Sequence, residues 1–347
     1  MSDRLSTLPL VVLYLTDGCN SRCVTCDIWR NPRRNMRLEL IEEIASSFKA
    51  LQVRWVLLSG GEAMQHPQWP QIAKRLRAEG TYITLLTNGL LLRKQVQDVN
   101  ASVDEVIVSL DGGTAETYMS IRGVDGFELI LDGIRSVREG GIPVSTRTTL
   151  QRANYKEVPQ IIDVAKAADV NRISFLTVDI SNQYAFGSRF AADPALAVIA
   201  DMGPGAPLEH GPSATALTND DVTIFENLVD DVTRRYAEDF ASGLIAESPE
   251  KLKRMVSYFR AINGDSPYPR HRCNSPHIST VIEVDGTIRP CYFLPSYGKI
   301  SRDDSLYEVL NSAAAQTLRR SYREGHRSEC ERCVCPLYKG PRALLRM

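Results

Sequence analysis

The chain has 347 residues, 43% apolar and 24% charged, with 41 Lys and Arg against 42 Asp and Glu for a formal net charge of −1. That is the composition of a globular protein long enough to bury a full core, and not of a disordered or fibrous one. Bulk charge gives no reason to expect a nucleic acid partner, and no apolar run approaches the length of a membrane span.

Apolar strand-like runs alternate with stretches of helical period. LVVLYLT (10–16) predicts a first strand. No basic leader of useful length precedes it and no small-residue cleavage site follows, so a cytoplasmic protein without a membrane partner is expected. Leu38, Ile41, Ile44, Phe48 and Leu51 then recur at helical spacing. VRWVLLSGGE (53–62) predicts a strand ending in a double glycine, 68–79 a helix, and TYITLLTNG (81–89) a strand closed by an Asn-Gly turn. A helix over 90–99 leads to the strand DEVIVSLDGG (104–113), a helix over 126–139 to IPVSTRTTL (142–150), and a helix over 155–168 to NRISFLTVD (171–179).

Six strand–helix units of this kind predict a parallel sheet buried on both faces. Such sheets carry their sites at the carboxyl ends of the strands. Here those ends hold a cysteine loop, Ser59 to Glu62, Thr87 to Gly89, Ser109 to Gly112, Arg147 and Asp179, so one end gathers most of the chemistry.

Near residue 180 the alternation stops. Residues 181–218 are rich in Ala, Gly, Pro and Ser and predict an irregular insertion or lid, where Tyr184, Arg189, Glu209 and His210 are possible substrate contacts. Helical period returns over 219–240 and 249–262. STVIEVDGTIRPCYF (279–293) predicts a hairpin turning at Asp-Gly, and 304–323 an amphipathic helix.

The eight cysteines fall in two groups, Cys19, Cys23 and Cys26 early, and Cys273, Cys291, Cys330, Cys333 and Cys335 late. A disulfide framework would be shorter and more evenly sprinkled, whereas clustered thiols in a cytosolic chain bind metal. Zinc at the first group would need a fourth ligand, and the nearest histidine, His66, is forty residues on. A four-iron cubane held by three cysteines leaves one iron open. Unrelated buried cysteines and a zinc ribbon are the other readings of these residues, and a structural zinc site is the other reading of the late group.

CNSRCVTC (19–26) has the CxxxCxxC spacing of the radical S-adenosylmethionine (SAM) enzymes, and SGGEA (59–63) resembles their GGE motif at the end of the second strand. With the six strand–helix units, the resemblance covers roughly residues 9–180. It implies a partial (β/α)6 barrel over 1–180, a lid and helical linker over 181–270, and a small C-terminal α+β auxiliary-cluster domain over 271–347. The resemblance further implies that Cys19, Cys23 and Cys26 ligate a [4Fe-4S] cluster whose open iron takes SAM. Gly60 and Gly61 would bare the backbone to the methionine end, Glu62 would anchor its ammonium, and Ser109, Asp111 and Arg147 would meet the ribose or carboxylate. Thr25 stands where the family has a bulky residue, and Ile28 and Trp29 are the expected substitutes over the adenine.

The late cysteines, with Gly286 inside the hairpin, resemble the SPASM or shorter twitch extension. One auxiliary [4Fe-4S] cluster on Cys273, Cys291, Cys330 and Cys333 is the expected count, with Cys335 left over or taking the place of Cys333. His271 and His277 read as structural.

The implied activity is reductive cleavage of SAM to a 5′-deoxyadenosyl radical, with an electron from a protein such as flavodoxin or ferredoxin. Hydrogen abstraction from a substrate and two-electron oxidation through the auxiliary cluster would follow. The barrel begins about ten residues in, which leans towards a small polar sugar-like or natural-product substrate over a peptide. The alternatives are an epimerase with Cys335 as hydrogen donor, a peptide-modifying maturase, and a non-enzymatic iron–sulfur redox sensor.

Overall fold

The structure, a computed structural model, describes residues 3–180 and 212–340. The four lid contacts expected from the sequence lie outside the described residues.

Six parallel strands form the frame: β1 Leu10–Thr16, β2 Trp55–Gly60, β3 Tyr82–Thr87, β4 Glu105–Ser109, β5 Val144–Leu150 and β6 Arg172–Thr177. The crossover helices are α1 Leu38–Ser46, α2 Trp69–Arg77, α3 Val96–Ser102, α4 Ala115–Arg122, α5 Phe127–Glu139 and α6 Val158–Ala167. A proline in the first turn of α2 and of α6 costs no hydrogen bond there and starts each helix cleanly. Two further helices follow, α7 Asn219–Arg235 and α8 Pro249–Ile262. A Thr218–Asp221 capping box opens α7, and the Ser248 hydroxyl accepts from Lys251 N at the start of α8.

The sequence predicts most of these elements, with three differences. Helix α4 was not expected: its residues AETYMSIR carry little apolar periodicity, and Thr114 capping plus Gly123 in the left-handed region define it instead. The helix expected over 90–99 is a series of turns that becomes α3 only at Val96. The helix expected over 304–323 breaks in two, because Ser312 caps a fresh start for α9, Ala313–Arg323.

One face of the sheet is packed by helices. Val11, Leu13, Leu15, Val56, Leu58, Val106 and Val108 are fully buried there, each stabilising the fold by about 1.5–3 kcal/mol. The alternate positions are covered less: Val12, Tyr14, Leu57, Ile107, Arg147 and Leu176 are half-buried. This corrects the expectation of a sheet buried on both faces. The twisted sheet curls into a partial barrel, and these inner positions of the curl keep some exposure.

The curl does not close. At one edge β6 gains a parallel bridge from Ile173 to Ile245. At the other edge β7 Ser279–Ile282 pairs in parallel with β1, Leu10 opposite Ser279, and the hairpin continues through β8 Thr287–Arg289 to β9 Gly298–Lys299. The sheet thus has nine strands in the order β6-β5-β4-β3-β2-β1-β7-β8-β9. The C-terminal segment extends the barrel sheet by main-chain hydrogen bonds. Among the described residues no helix is long and apolar enough to cross a membrane.

Candidate iron–sulfur and cofactor sites

The first cysteine group follows the carboxyl end of β1. The loop is sewn to its neighbours by backbone: Gly61 N–H donates to Thr16 O and Glu62 N–H to Gly18 O, both at 2.8 Å. A Cβ on Gly60 or Gly61 would strike the backbone of Thr16 or Gly18, and Gly60 has φ +122°. The glycines therefore serve first to let β2 lie against the strand that leads into Cys19. From the other side, Arg22 N–H donates to Arg122 O at 2.8 Å and Val24 N–H to Ile121 O at 3.0 Å. The end of α4 thus holds the middle of the loop.

Glu62 is almost fully buried. One carboxylate oxygen accepts from Met64 N at 3.1 Å and Thr87 Oγ1 at 2.8 Å, and the other from Asn88 N at 2.7 Å. Burial raises its pKa, while these donors and Arg122 pull the other way. The carboxylate clasps the ends of β2 and β3. An ammonium contact of the kind the sequence suggests would have to share an oxygen already in use.

Asn88, which the sequence presents as a turn residue, also reaches the cysteine loop. Its Nδ2 donates to Asn20 Oδ1 at 2.7 Å and lies 3.8 Å from Cys19 Sγ. The Cys19 thiol, pushed up to about 11 by burial, also accepts from Ser21 N at 3.5 Å. Trp29 Nε1 donates to Cys23 O at 3.4 Å, and the guanidiniums of Arg22 and Arg30 lie 5.1 and 4.8 Å from its ring centre.

Of the three strand-end residues expected to meet SAM, Ser109 and Arg147 are register partners on β4 and β5. Arg147 Nε is buried without a hydrogen-bond partner, which suits a carboxylate ligand. Asp111 is committed inside the protein: Oδ1 accepts from Thr149 N at 2.7 Å and Oδ2 pairs with Arg122 Nη2 at 2.6 Å. Sequence reasoning missed Arg122, because it sits on the helix that carried no periodic signal.

The late cysteines gather at the opposite end of the sheet. Cys273 lies six residues before β7, which runs parallel to β1, and Cys291 lies two residues past β8, which returns antiparallel. Asn274 brings in the tail: its N–H donates to Leu337 O at 2.8 Å and its side chain exchanges hydrogen bonds with the backbone of Lys339. Cys333 N–H donates to Cys330 O, folding the last thiols into a tight turn.

Burial pushes Cys291 up to about 12, and Cys273 and Cys330 beside it push the same way. Cys333 is raised by burial and then by Cys335, Cys273 and Cys291. Cys335 is exposed. All five thiols thus share one neighbourhood, and Tyr322 Oη donates to Cys273 O on its flank. The expectation that one end of the sheet carries most of the chemistry is corrected: the early thiols follow the carboxyl end of β1, and Cys273 precedes the amino end of its parallel neighbour β7.

The profile of the radical SAM superfamily matches residues 13–165, and that of the SPASM iron–sulfur cluster-binding domain matches residues 273–334. The chain carries a radical SAM domain and, behind it, a SPASM domain.

Curated relatives resemble the barrel part. An AdoMet-dependent heme synthase of Methanosarcina barkeri is 33% identical over 167 residues, 45% of this chain and 47% of that protein. A probable GTP 3′,8-cyclase of Saccharolobus islandicus is 31% identical over 169 residues, 47% of this chain and 55% of that protein. The chain thus spans about half the length of the curated relatives it matches. Among solved structures, Streptococcus suis SuiB bound to S-adenosylmethionine superposes with a TM-score of 0.64 at 15% identity, covering 97% of this chain and 74% of that one. The enzyme anSMEcpe with bound AdoMet and a peptide superposes with a TM-score of 0.62 at 17% identity, covering 90% and 82%. These likenesses show the fold.

The two domains imply a SAM-binding [4Fe-4S] cluster and an auxiliary cluster. Among the described residues no three His, Cys, Asp or Glu side chains gather tightly enough to hold a metal ion between them. A cubane asks for a different arrangement, with thiolates spread around a larger body, one to each iron. Two groups made of soft thiol donors fit such clusters. Three sulfurs on a backbone-pinned loop of this radical SAM barrel fit a SAM-binding cluster, and the unpaired guanidinium nitrogen of Arg147 on β5 suits a carboxylate.

Proposed function

We propose that this radical SAM–SPASM protein oxidises a small polar substrate held in the hollow of the barrel sheet. The observation that carries this reading is the half-covered inner face with a thiol group at each end. When bound, the cluster at Cys19, Cys23 and Cys26 supplies the electron that cleaves SAM to methionine and a 5′-deoxyadenosyl radical able to take a hydrogen atom from carbon.

The chain's own residues would do the rest. Ser109 and Arg147 would hold the carboxylate end of SAM. The apolar positions Val12, Leu57 and Ile107 would keep water from the reacting carbon. At the open edge beside β6, Tyr258 is raised first by burial and then by Asp179, Tyr268 and Cys333, while Arg254 neighbours both His271 and Cys333. A set of charged and hydroxylic groups between the strand ends and the late cysteines suits a substrate rich in hydroxyl or amino groups. His271 belongs to that set. His277 instead packs against the Tyr322 ring.

The fifth late thiol favours a second reading. Cys335 is exposed beside Cys333, where it could return a hydrogen atom to a substrate radical and make the protein an epimerase.

Reduced, reconstituted protein should release 5′-deoxyadenosine from SAM; none would leave the redox sensor standing. With a substrate in hand, reaction in deuterium oxide separates the other two. A product two hydrogens lighter, formed equally by Cys335→Ala, supports the oxidase. One solvent deuterium on carbon, lost in Cys335→Ala, supports the epimerase.

A further inference from the structure

Arg122 is the last residue of α4, and its side chain is only 13% exposed, against 6% for its partner Asp111. Burying a charge pair is costly unless its geometry is good and its remaining donors are used. Here Nη2 meets Asp111 Oδ2 at 2.6 Å and Nη1 lies 3.6 Å from Cys23 Sγ, within reach of a sulfur hydrogen bond, while Nε is buried without a partner. The backbone does not leave this to chance, since the carbonyls of Ile121 and Arg122 accept from Val24 and Arg22 on either side of Cys23. Gly123 lets the loop approach, because a Cβ there would strike Arg22.

The early thiols are thus not equivalent. Cys19 receives a backbone amide and an asparagine side chain, both neutral, whereas Cys23 receives a cation.

We propose that Arg122, oriented by Asp111, is a positioning residue that sets the reduction potential of the SAM-binding cluster through the Cys23 thiolate. The inference rests on the reading that Cys19, Cys23 and Cys26 hold that cluster. Reduction adds one negative charge to the cluster, so a guanidinium against a ligating sulfur stabilises the reduced form and raises the potential. Asp111 tempers the effect by neutralising part of the cation, while fixing its direction.

This pairing makes two substitutions act with opposite sign. Arg122→Gln removes the cation and leaves Asp111 facing the sulfur, so the cluster becomes harder to reduce. Asp111→Asn leaves the cation without its counter-charge, so the cluster becomes easier to reduce. A role confined to helix packing would move both variants the same way or neither.

The experiment is a redox titration of the reconstituted full chain, followed by electron paramagnetic resonance, using the signal that changes on adding SAM. Arg122→Gln is expected to lower the reduction equilibrium constant at least about tenfold, a shift of 59 mV for one electron. Asp111→Asn should raise it, and Arg122→Lys should lie between Arg122→Gln and wild type. Should Arg122→Gln not retain iron, the Asp111→Asn arm decides alone. Equal potentials, or shifts of the same sign, in iron-loaded variants overturn this inference only. A wild-type chain that takes up no iron at the early thiols overturns the cluster reading and this inference with it.

Discussion

The two cysteine groups sit at opposite ends of one sheet and are built on different plans. The early group lies on one continuous loop, and the strand ends around it pin that loop through main-chain hydrogen bonds, the Glu62 clasp and the buried Arg122–Asp111 pair. The late group is assembled from three separate segments around 273, 291 and 330–335, brought together by the hairpin and by Asn274 gripping the tail. A loop held by neighbours keeps its shape without metal more readily than a site drawn together from three separate segments. The late group should therefore depend on its cluster for local order, as small metal domains do.

The largest test of this contrast removes ligands. Replacing Cys19, Cys23 and Cys26 with Ala should take away about half the iron and all SAM cleavage, assuming two cubanes of four irons each. Replacing Cys273 and Cys291 should remove the other half and leave some uncoupled SAM cleavage. Loss of all iron from a folded first variant would mean that the two sites do not load independently.

Alkylation of the metal-free chain reads the same contrast without activity. Cys335 is exposed, while burial pushes Cys291 up to about 12 from 9.0. Near neutral pH the thiolate fraction of Cys291 is then lower by about a thousandfold than that of an ordinary thiol. If the late segments kept their fold without metal, a timed iodoacetamide pulse read by mass spectrometry would label Cys335 first and Cys291 last, with a gap that narrows as pH rises towards 12. Dependence on the cluster instead predicts similar rates for the two thiols, and a preserved gap would show that the late group keeps its order without metal.

Glu62→Gln probes the clasp at the early end. Whichever way the new amide turns, its NH₂ faces the backbone N–H of Met64 or Asn88, so stability should fall by about 1–3 kcal/mol, measured by denaturant unfolding. Unchanged stability with weakened SAM binding would return Glu62 to the ammonium role expected from the sequence. At the late end, Tyr322→Phe loses a single hydrogen bond to Cys273 O, worth about 1 kcal/mol. It should speed iron release from the second site alone.

The early cysteine group was legible because its three thiols are contiguous in sequence. Three cysteines in eight residues, followed by a double glycine at the next strand end, are local patterns with one common chemistry. The partners of those residues were less legible. Asp111 and Glu62 stand at the strand ends where ligand contacts are expected, yet their carboxylates close on protein donors. Nothing in the string LDGG or GGEA distinguishes an acceptor facing a ligand from one facing a backbone amide. Arg122 was hidden for another reason, since a short helix defined by its caps carries too little apolar period to be read.

By itself, the sequence determined the alternation of strand and helix, the hairpin at Asp-Gly, and the division of the thiols into two groups. Those follow from side-chain periodicity, turn chemistry and donor type, all of which act within a few residues. Tertiary structure decided that β7 pairs in parallel with β1, that the late cysteines consequently lie at the far end of the sheet, and that one sheet face stays half-open between the two groups. Strand order and the hand of a sheet edge depend on contacts between residues more than two hundred positions apart, such as Leu10 and Ser279. No local preference encodes them; they emerge when the apolar faces of all the strands are buried together.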